Sequence, residues 1–439
     1  MKTNTNINLS QVFAFGLEIL LTNMLFGSCT SSEELPSDTP NQEVAASVNL
    51  ALGVSGGMAS RELNTWDAAQ QVNDMRIYIF RCAQDKMGTA DEAFTYYIPS
   101  DLANTDKGYY TVSEFANQTP YYSAQHNNQM EQHTYSFIPF LESGYYYQFL
   151  AIGRDDKYAE TKVLTEPSLT AETTTLEDAS IALTSAAQEA AQDGSPLTCT
   201  EFFSGILQDE QTKAETPILV TDHTKHFERT LTATRNVAGL MLYVQNIPSV
   251  VEDNTTTAST PETFTPTSLS IEVTGIAATQ LLKSKTPLDS DTPLSYQKLA
   301  TIDLTTDNGW IIDKTQQIFT RAANTDKGWK ENSYLVSNFM MPTPATDMGK
   351  SKNADQKETT FYLHYTDGTH HRYDNVKLAV ENGYEMKFPI QANHLYSIGA
   401  KSSTTNEPYD LKKYYEPVMV DLTIEIEPSF EKKHEFETK

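Results

Sequence analysis

Positive charge, cysteine and long apolar runs are all scarce in this sequence of 439 residues. Lys and Arg number 32 against 58 Asp and Glu, a formal charge of −26. So acidic a surface repels nucleic acid and anionic lipid headgroups, which removes nucleic acid as a partner and suits a body outside the cytoplasm. Three cysteines, Cys29, Cys82 and Cys199, are too few for a disulfide scaffold. The apolar segment 12–26 is shorter than the ~20 residues of a membrane-spanning helix. Phosphate loops, dinucleotide fingerprints and zinc-ligand spacings are missing too, so no cofactor and no metal is expected.

What is present begins at the N-terminus. Lys2, the apolar segment 12–26 and the small residues Gly27 and Ser28 have the layout of a secretory leader. The junction Phe26-Gly27-Ser28-Cys29 resembles a bacterial lipoprotein signal. That resemblance implies that residues 1–28 are a removed signal peptide and that Cys29 becomes the lipidated first residue. The alternative is an ordinary cleaved leader with a chance cysteine. Ser31-Ser32-Glu33-Glu34 resembles the acidic tag that sends lipoproteins of some Gram-negative anaerobes to the outer face of the outer membrane. Residues 29–45, acidic and twice interrupted by proline, are expected to form a tether. With Cys29 lipidated, Cys82 and Cys199 are left either as a pair or as two separate buried thiols.

The apolar supply is aromatic and β-branched, with 23 Tyr and 19 Phe, and favours strands. Val48, Leu50, Leu52 and Val54 alternate with small or polar residues, which predicts a half-buried strand over 47–54. Further strands are expected at 75–80, 94–98, 109–115, 134–140, 145–152, 269–273, 334–341, 385–390 and 394–400. Residues 230–244 are apolar on both faces, which predicts one central strand covered on both sides. In 361–373, Asp367-Gly368 predicts a hairpin with a two-residue turn. Val418, Val420, Leu422, Ile424 and Ile426 form a strictly alternating last strand. Residues 175–193, Ala-rich and followed by Gly194, predict one short helix. The sum is an all-β chain of two tandem β-sandwich domains, 46–224 and 225–439. The sextet Ala-Asn-Thr-Asp-Lys-Gly occurs at 103–108 and 323–328, a turn-type sequence that carries little weight as a repeat.

Catalytic signals are weak, and no enzyme is expected. Gly53-Val54-Ser55-Gly56-Gly57 has the letters of G-x-S-x-G, but that serine works on a strand-to-helix turn of an α/β sheet. His223 with His226, and His370-His371, are the only histidine clusters. Adjacent strand residues point to opposite faces, so solvated loop histidines are expected rather than a metal site. Asp155-Asp156 and Asp289 with Asp291 lack the glycine-punctuated loop of a calcium site. Tyrosines cluster at 96–97, 109–110, 121–122 and 145–147, either as a sugar-binding platform or as core.

Several short motifs occur in a telling order. They are Cys29, a first strand followed by Arg61, and Met75-Arg76-Ile77-Tyr78-Ile79-Phe80. Tyr147-Gln148-Phe149-Leu150-Ala151-Ile152-Gly153, Arg235-Asn236-Val237-Ala238, Tyr365-Thr366-Asp367-Gly368 and Asn393-His394-Leu395-Tyr396-Ser397-Ile398 follow. Together they resemble the fimbrillins, lipoprotein subunits of the type V pili of Gram-negative anaerobes. The resemblance implies two transthyretin-like sandwiches and export to the surface with a palmitate-type lipid. It implies a cut by an arginine-specific protease between Arg61 and Glu62. The strand of Val48, Leu50, Leu52 and Val54 would be lost, and a neighbouring subunit's donor strand would refill the groove. The strand of Val418, Val420, Leu422, Ile424 and Ile426 fits that donor, or is an ordinary edge strand. Expected partners are other pilus subunits, the outer membrane through the lipid, the protease, and a host or glycan receptor. Glu62 stands where a small residue is usual, and an uncut Arg61 leaves a lipid-held accessory or anchor component. A monomeric glycan-binding surface lipoprotein is the remaining reading.

Overall fold

A computed structural model of the chain describes residues 43–55, 74–112 except 104 and 106, 132–154, 163–343 except 193–194, 198, 200, 210–211, 257–259, 275 and 289–296, 360–376, 390–412 except 402–404, and 424–426. All lie within one compact unit, Asn41–Lys439. The sheets are built from β1 (Ser47–Ser55), β2 (Asp74–Ala83), β3 (Thr95–Tyr97), β4 (Gln132–Phe137), β5 (Tyr145–Arg154), β6 (Phe202–Ile206), β7 (His226–Arg235) and β8 (Ala238–Gln245). They continue with β9 (Ser268–Thr274), β10 (Gln297–Asp303), β11 (Ser333–Met340), β12 (Thr360–Thr366), β13 (His371–Val376), β14 (Leu395–Ile398) and β15 (Ile424–Ile426). Among the described residues one α-helix, α1 (Ser185–Gln192), interrupts them. The fold is all-β and sandwich-like.

A nine-stranded sheet runs β3-β2-β5-β6-β7-β1-β4, with Ile218–Val220 added on β5 and Tyr110–Thr111 on β2. A five-stranded sheet runs β11-β8-β14-β15, with Tyr409–Asp410 added on β8. A four-stranded sheet runs β10-β9-β12-β13. The pleat sorts the apolar residues. Along β2, Tyr78, Phe80 and Cys82 enter one core while Met75, Ile77 and Ile79 enter another. In β5, Leu150 and Ile152 oppose Tyr147, Phe149 and Ala151 in the same way. The nine-stranded sheet is therefore buried on both faces. The first core is shared with Leu269, Ile271 and Val273 of β9 and with Leu240, Leu242 and Val244 of β8. The second holds Val48, Phe137, Phe203, Phe227 and Leu231. Burial of each such side chain contributes ~1.5–3 kcal/mol over leaving it exposed.

The structure corrects four local expectations. Residues 230–244 are not one strand, because the ladder stops after Arg235 and restarts at Ala238. Between them the Asn236 N–H donates to the Phe202 carbonyl (2.9 Å) and the Val237 carbonyl accepts from the Asn393 N–H (2.9 Å), so this backbone is claimed by other segments. Burial of 238–244 on both faces is as expected.

The helix covers only the second half of 175–193. Ala179, Ile181 and Leu183 are buried at strand spacing, and Ser180–Ala182 pairs with Thr279–Leu281. Helix starts only after Thr184, whose hydroxyl accepts from the Ala187 N–H (3.3 Å) as a cap. The β12–β13 loop has four residues rather than two, since Thr366 pairs with His371. Asp367 Oδ1 accepts from the N–H groups of Thr369 and His370, both at 2.8 Å, and Gly368 takes the left-handed φ of 93°. The expected strand over 134–140 ends at Phe137, and Phe140–Glu142 pairs instead with Glu43–Ala45.

Candidate functional site

The strand expected to be exchangeable lies inside the nine-stranded sheet. β1 pairs in parallel with β7 over nine residues, from Ser47 opposite His226 to Ser55 opposite Thr234. On its other side it pairs antiparallel with β4, from Val48 opposite Phe137 to Gly53 opposite Gln132. Leu50, Leu52 and Val54 stand in register with Arg229, Leu231 and Ala233. Val48 is fully buried, as is Ala46 just ahead of the strand, and both belong to the core with Phe137, Phe149 and Phe227.

A second attachment precedes the first. Glu43–Ala45 pairs with Phe140–Glu142, the Ala46 N–H donates to the Pro139 carbonyl (3.3 Å), and the Ser100 hydroxyl donates to Glu43 Oε2 (3.0 Å). An interior strand spends its backbone groups on both neighbours. Taking β1 away would leave unpaired rows on β7 and β4, and sockets where Ala46 and Val48 sit.

Of the other expected site residues, Cys29, Arg61 and Glu62 lie outside the described residues, as do Val418, Val420 and Leu422. Ile424 and Ile426 are in β15, which pairs antiparallel with β14 at the end of the five-stranded sheet. Ser55 ends β1 opposite Thr234 in the parallel ladder.

Two buried polar clusters were not read from the sequence. At the end of β7, Arg235 Nε donates to Glu201 Oε1 (2.6 Å), with side chains 1% and 4% exposed. Arg235 Nη1 also donates to Asn393 Oδ1 (3.2 Å), and the guanidinium lies over the rings of Phe203 (5.4 Å) and Phe339 (6.0 Å). Beside it the Ser204 hydroxyl sits between Asn236 Oδ1 (2.8 Å) and the Leu282 carbonyl (2.6 Å). This hub joins β6, the β7–β8 connection and the segment entering β14. A lone arginine inside the apolar stretch 230–244 was the available signal.

The second cluster corrects the expectation of a solvated loop histidine for His371, while His223 and His226 are exposed as expected. Glu272 Oε1 accepts from the Ser270 hydroxyl (2.7 Å) and lies 2.6 Å from His364 Nδ1. His364 Nε2 lies 3.0 Å from His371 Nδ1, and the His364 ring stacks on Tyr373 at 4.2 Å. Burial pushes the Glu272 carboxyl up, but the His364 hydrogen bond and electrostatic pull, the Ser270 hydroxyl and Lys298 outweigh it and hold it below the usual range. His370 bonds Asp367 Oδ2 (3.0 Å), while His223 is exposed. Among the described residues no group of three His, Cys, Asp or Glu is placed to hold a metal ion.

Cys82 and Cys199 are separate buried thiols, and burial pushes Cys199 up to about 12. The tyrosines serve mainly as core. Tyr96, Tyr97 and Tyr147 are buried, and the Arg81 guanidinium lies between the rings of Tyr97 (4.1 Å) and Tyr145 (4.4 Å). Tyr121 and Tyr122 lie outside the described residues.

The sequence matches the family of fimbrillin-A associated anchor proteins Mfa1 and Mfa2 over residues 36–326. No curated protein matches it. Among solved structures it is similar to the fimbrial anchor protein Mfa2 from Porphyromonas gingivalis, with 8% identity over 82% of this chain and 93% of that one and a TM-score of 0.34. It is also similar to a fimbrial assembly protein from Parabacteroides distasonis, with 10% identity over 88% of this chain and 95% of that one and a TM-score of 0.35. The family match covers most of the chain, including β1 to β10 and the Arg235–Glu201 pair, and this protein belongs to the fimbrillin-A associated anchor protein family.

Proposed function

We propose that this protein is a fimbrial anchor subunit, held on the outer-membrane surface by a lipid on Cys29 and keeping β1 in place. Family membership supports the fimbrial role. The observation that carries the retention of β1 is its place in the chain and in the sheet. β1 lies between Cys29 and Arg61 and is bonded to β7 and β4. A chain that keeps the lipid keeps the strand, and a chain cut after Arg61 loses both. In this reading the groove between β7 and β4 stays closed, and other fimbrial subunits are engaged by donation of the strand over 418–426.

A second reading is a shaft subunit from which an arginine-specific protease removes β1. It is favoured by the two ladders on β1, because removal of that strand alone would open both β7 and β4 to a donor. The N-terminal residue and mass of the protein taken from the cell surface separate the readings. A chain starting at lipidated Cys29 supports the anchor. A lipid-free chain starting at Glu62 overturns it in favour of the shaft subunit.

A further inference from the structure

We propose that the ladders of β1 are a mechanical clamp that resists tension between the membrane tether and the body. This rests on the anchor reading, in which the lipid is attached ahead of residue 43. Any pull on that side enters the described body at Glu43 and passes first into Glu43–Ala45 and β1.

The direction of pairing decides how the force is borne. β1 and β7 run parallel, so the N-terminal end of β1 and the C-terminal end of β7 lie at opposite ends of their ladder. Force from the tether draws β1 toward its N-terminal end. Force from the rest of the molecule reaches β7 at its C-terminal end, through Arg235, the Glu201 ion pair and the covalent step into β8. The two strands are drawn along their axes in opposite senses. The nine-residue ladder to β7 is then strained all at once, in shear. The antiparallel ladder to β4 shares the strain over 48–53, and the buried Ala46 and Val48 must be dragged out of a packed core. Were the two strands pulled apart from one end, the same bonds would break one after another, each under the whole force.

The geometry also places supports at both ends of the clamp. Ahead of β1, Glu43–Ala45 adds its pairing with Phe140–Glu142. At the end of β7, Arg235 is fixed by Glu201 and Asn393 and cannot slide without separating a buried ion pair. Lys285 Nζ donates to the Thr234 carbonyl (2.7 Å), bracing the last residue of the β1 register.

Single-molecule pulling on the full chain tests this, because rupture under force reports the unfolding barrier along the pulled direction. One handle is attached at Val250→Cys, a half-exposed position just past β8. The other is attached at Asn41→Cys, which loads the ladder in shear, or at Gly57→Cys, which loads β1 from the end it shares with the C-terminus of β7. Both variants also carry Cys29→Ser, and Cys82 and Cys199 are buried, so no native thiol competes for the handles. The clamp predicts a rupture force several-fold higher from residue 41 than from residue 57. Equal forces, or a higher force from residue 57, overturn it. Melting curves of the two cysteine variants must coincide, so that the comparison reads direction alone. The anchor reading fails separately: a surface chain starting at Glu62 sinks it while leaving the directional difference of the uncut chain intact.

Discussion

At the scale of single residues, the Arg235–Glu201 pair has the largest effect assigned here. Both charges are nearly fully enclosed; they meet through Nε and Oε1, and Arg235 also donates to Asn393. Removing one partner strands the second in the core. Glu201→Ala is expected to cost about 3–5 kcal/mol in urea denaturation, whereas Arg235→Met with Glu201→Leu, apolar and similar in volume, is expected to cost much less. Equal losses would mean that packing around Phe203 and Phe339, not charge, holds the joint. Glu272 is a quieter example of the same chemistry, because Ser270 and His364 supply its hydrogen bonds and no water need enter. Neither residue was legible as functional in the sequence. A charged residue in an apolar strand signals burial with a partner, but the partners lie far along the chain, at Glu201 and Asn393 for Arg235 and at His364 for Glu272.

At the scale of elements, period two was the reliable guide. It gave β1, β2, β5, β9 and β11 within a few residues. It misled where composition looked helical but alternation persisted, as at Ala179, Ile181 and Leu183. It could not find the break at Asn236-Val237, since nothing local shows that β6 and the segment before β14 take those backbone bonds. β6 itself depends on a close approach. A Cβ on Gly205 would lie 2.2 Å from the Thr232 carbonyl oxygen and 2.8 Å from Ala233 Cα, both backbone atoms of β7. Gly205→Ala is therefore expected to push β6 away from the strand that carries β1. It should lower stability by about 1–3 kcal/mol, read as a fall in the urea midpoint. Faster hydrogen exchange should appear in β1 as well as in β6 and β7, and a change confined to β6 would contradict this coupling.

At the scale of the whole molecule, the all-β class was legible from composition. The pairing of the first strand with the seventh, some 180 residues further along the chain, was not, because a parallel partner leaves no local turn to mark it. A chain beginning at Glu62 lacks β1 and presents the edges of β7 and β4. Such a chain is expected to bind a synthetic peptide of residues 43–55, or to associate with itself, while the chain from residue 29 does neither. Size-exclusion chromatography with and without the peptide checks this, and a monomeric truncated chain indifferent to the peptide would contradict it.

The same pairing orders events during biogenesis. β1 emerges first from any secretion channel, but its parallel partner His226–Arg235 emerges only after β2 to β6 have passed. Until then the leading strand has one side of its ladder unfilled and the second core remains open. The N-terminal half cannot close early, so the chain stays open for longer than a sheet built from successive hairpins would. Closure of the sheet, rather than its start, then marks the moment at which the tethered body becomes a folded one.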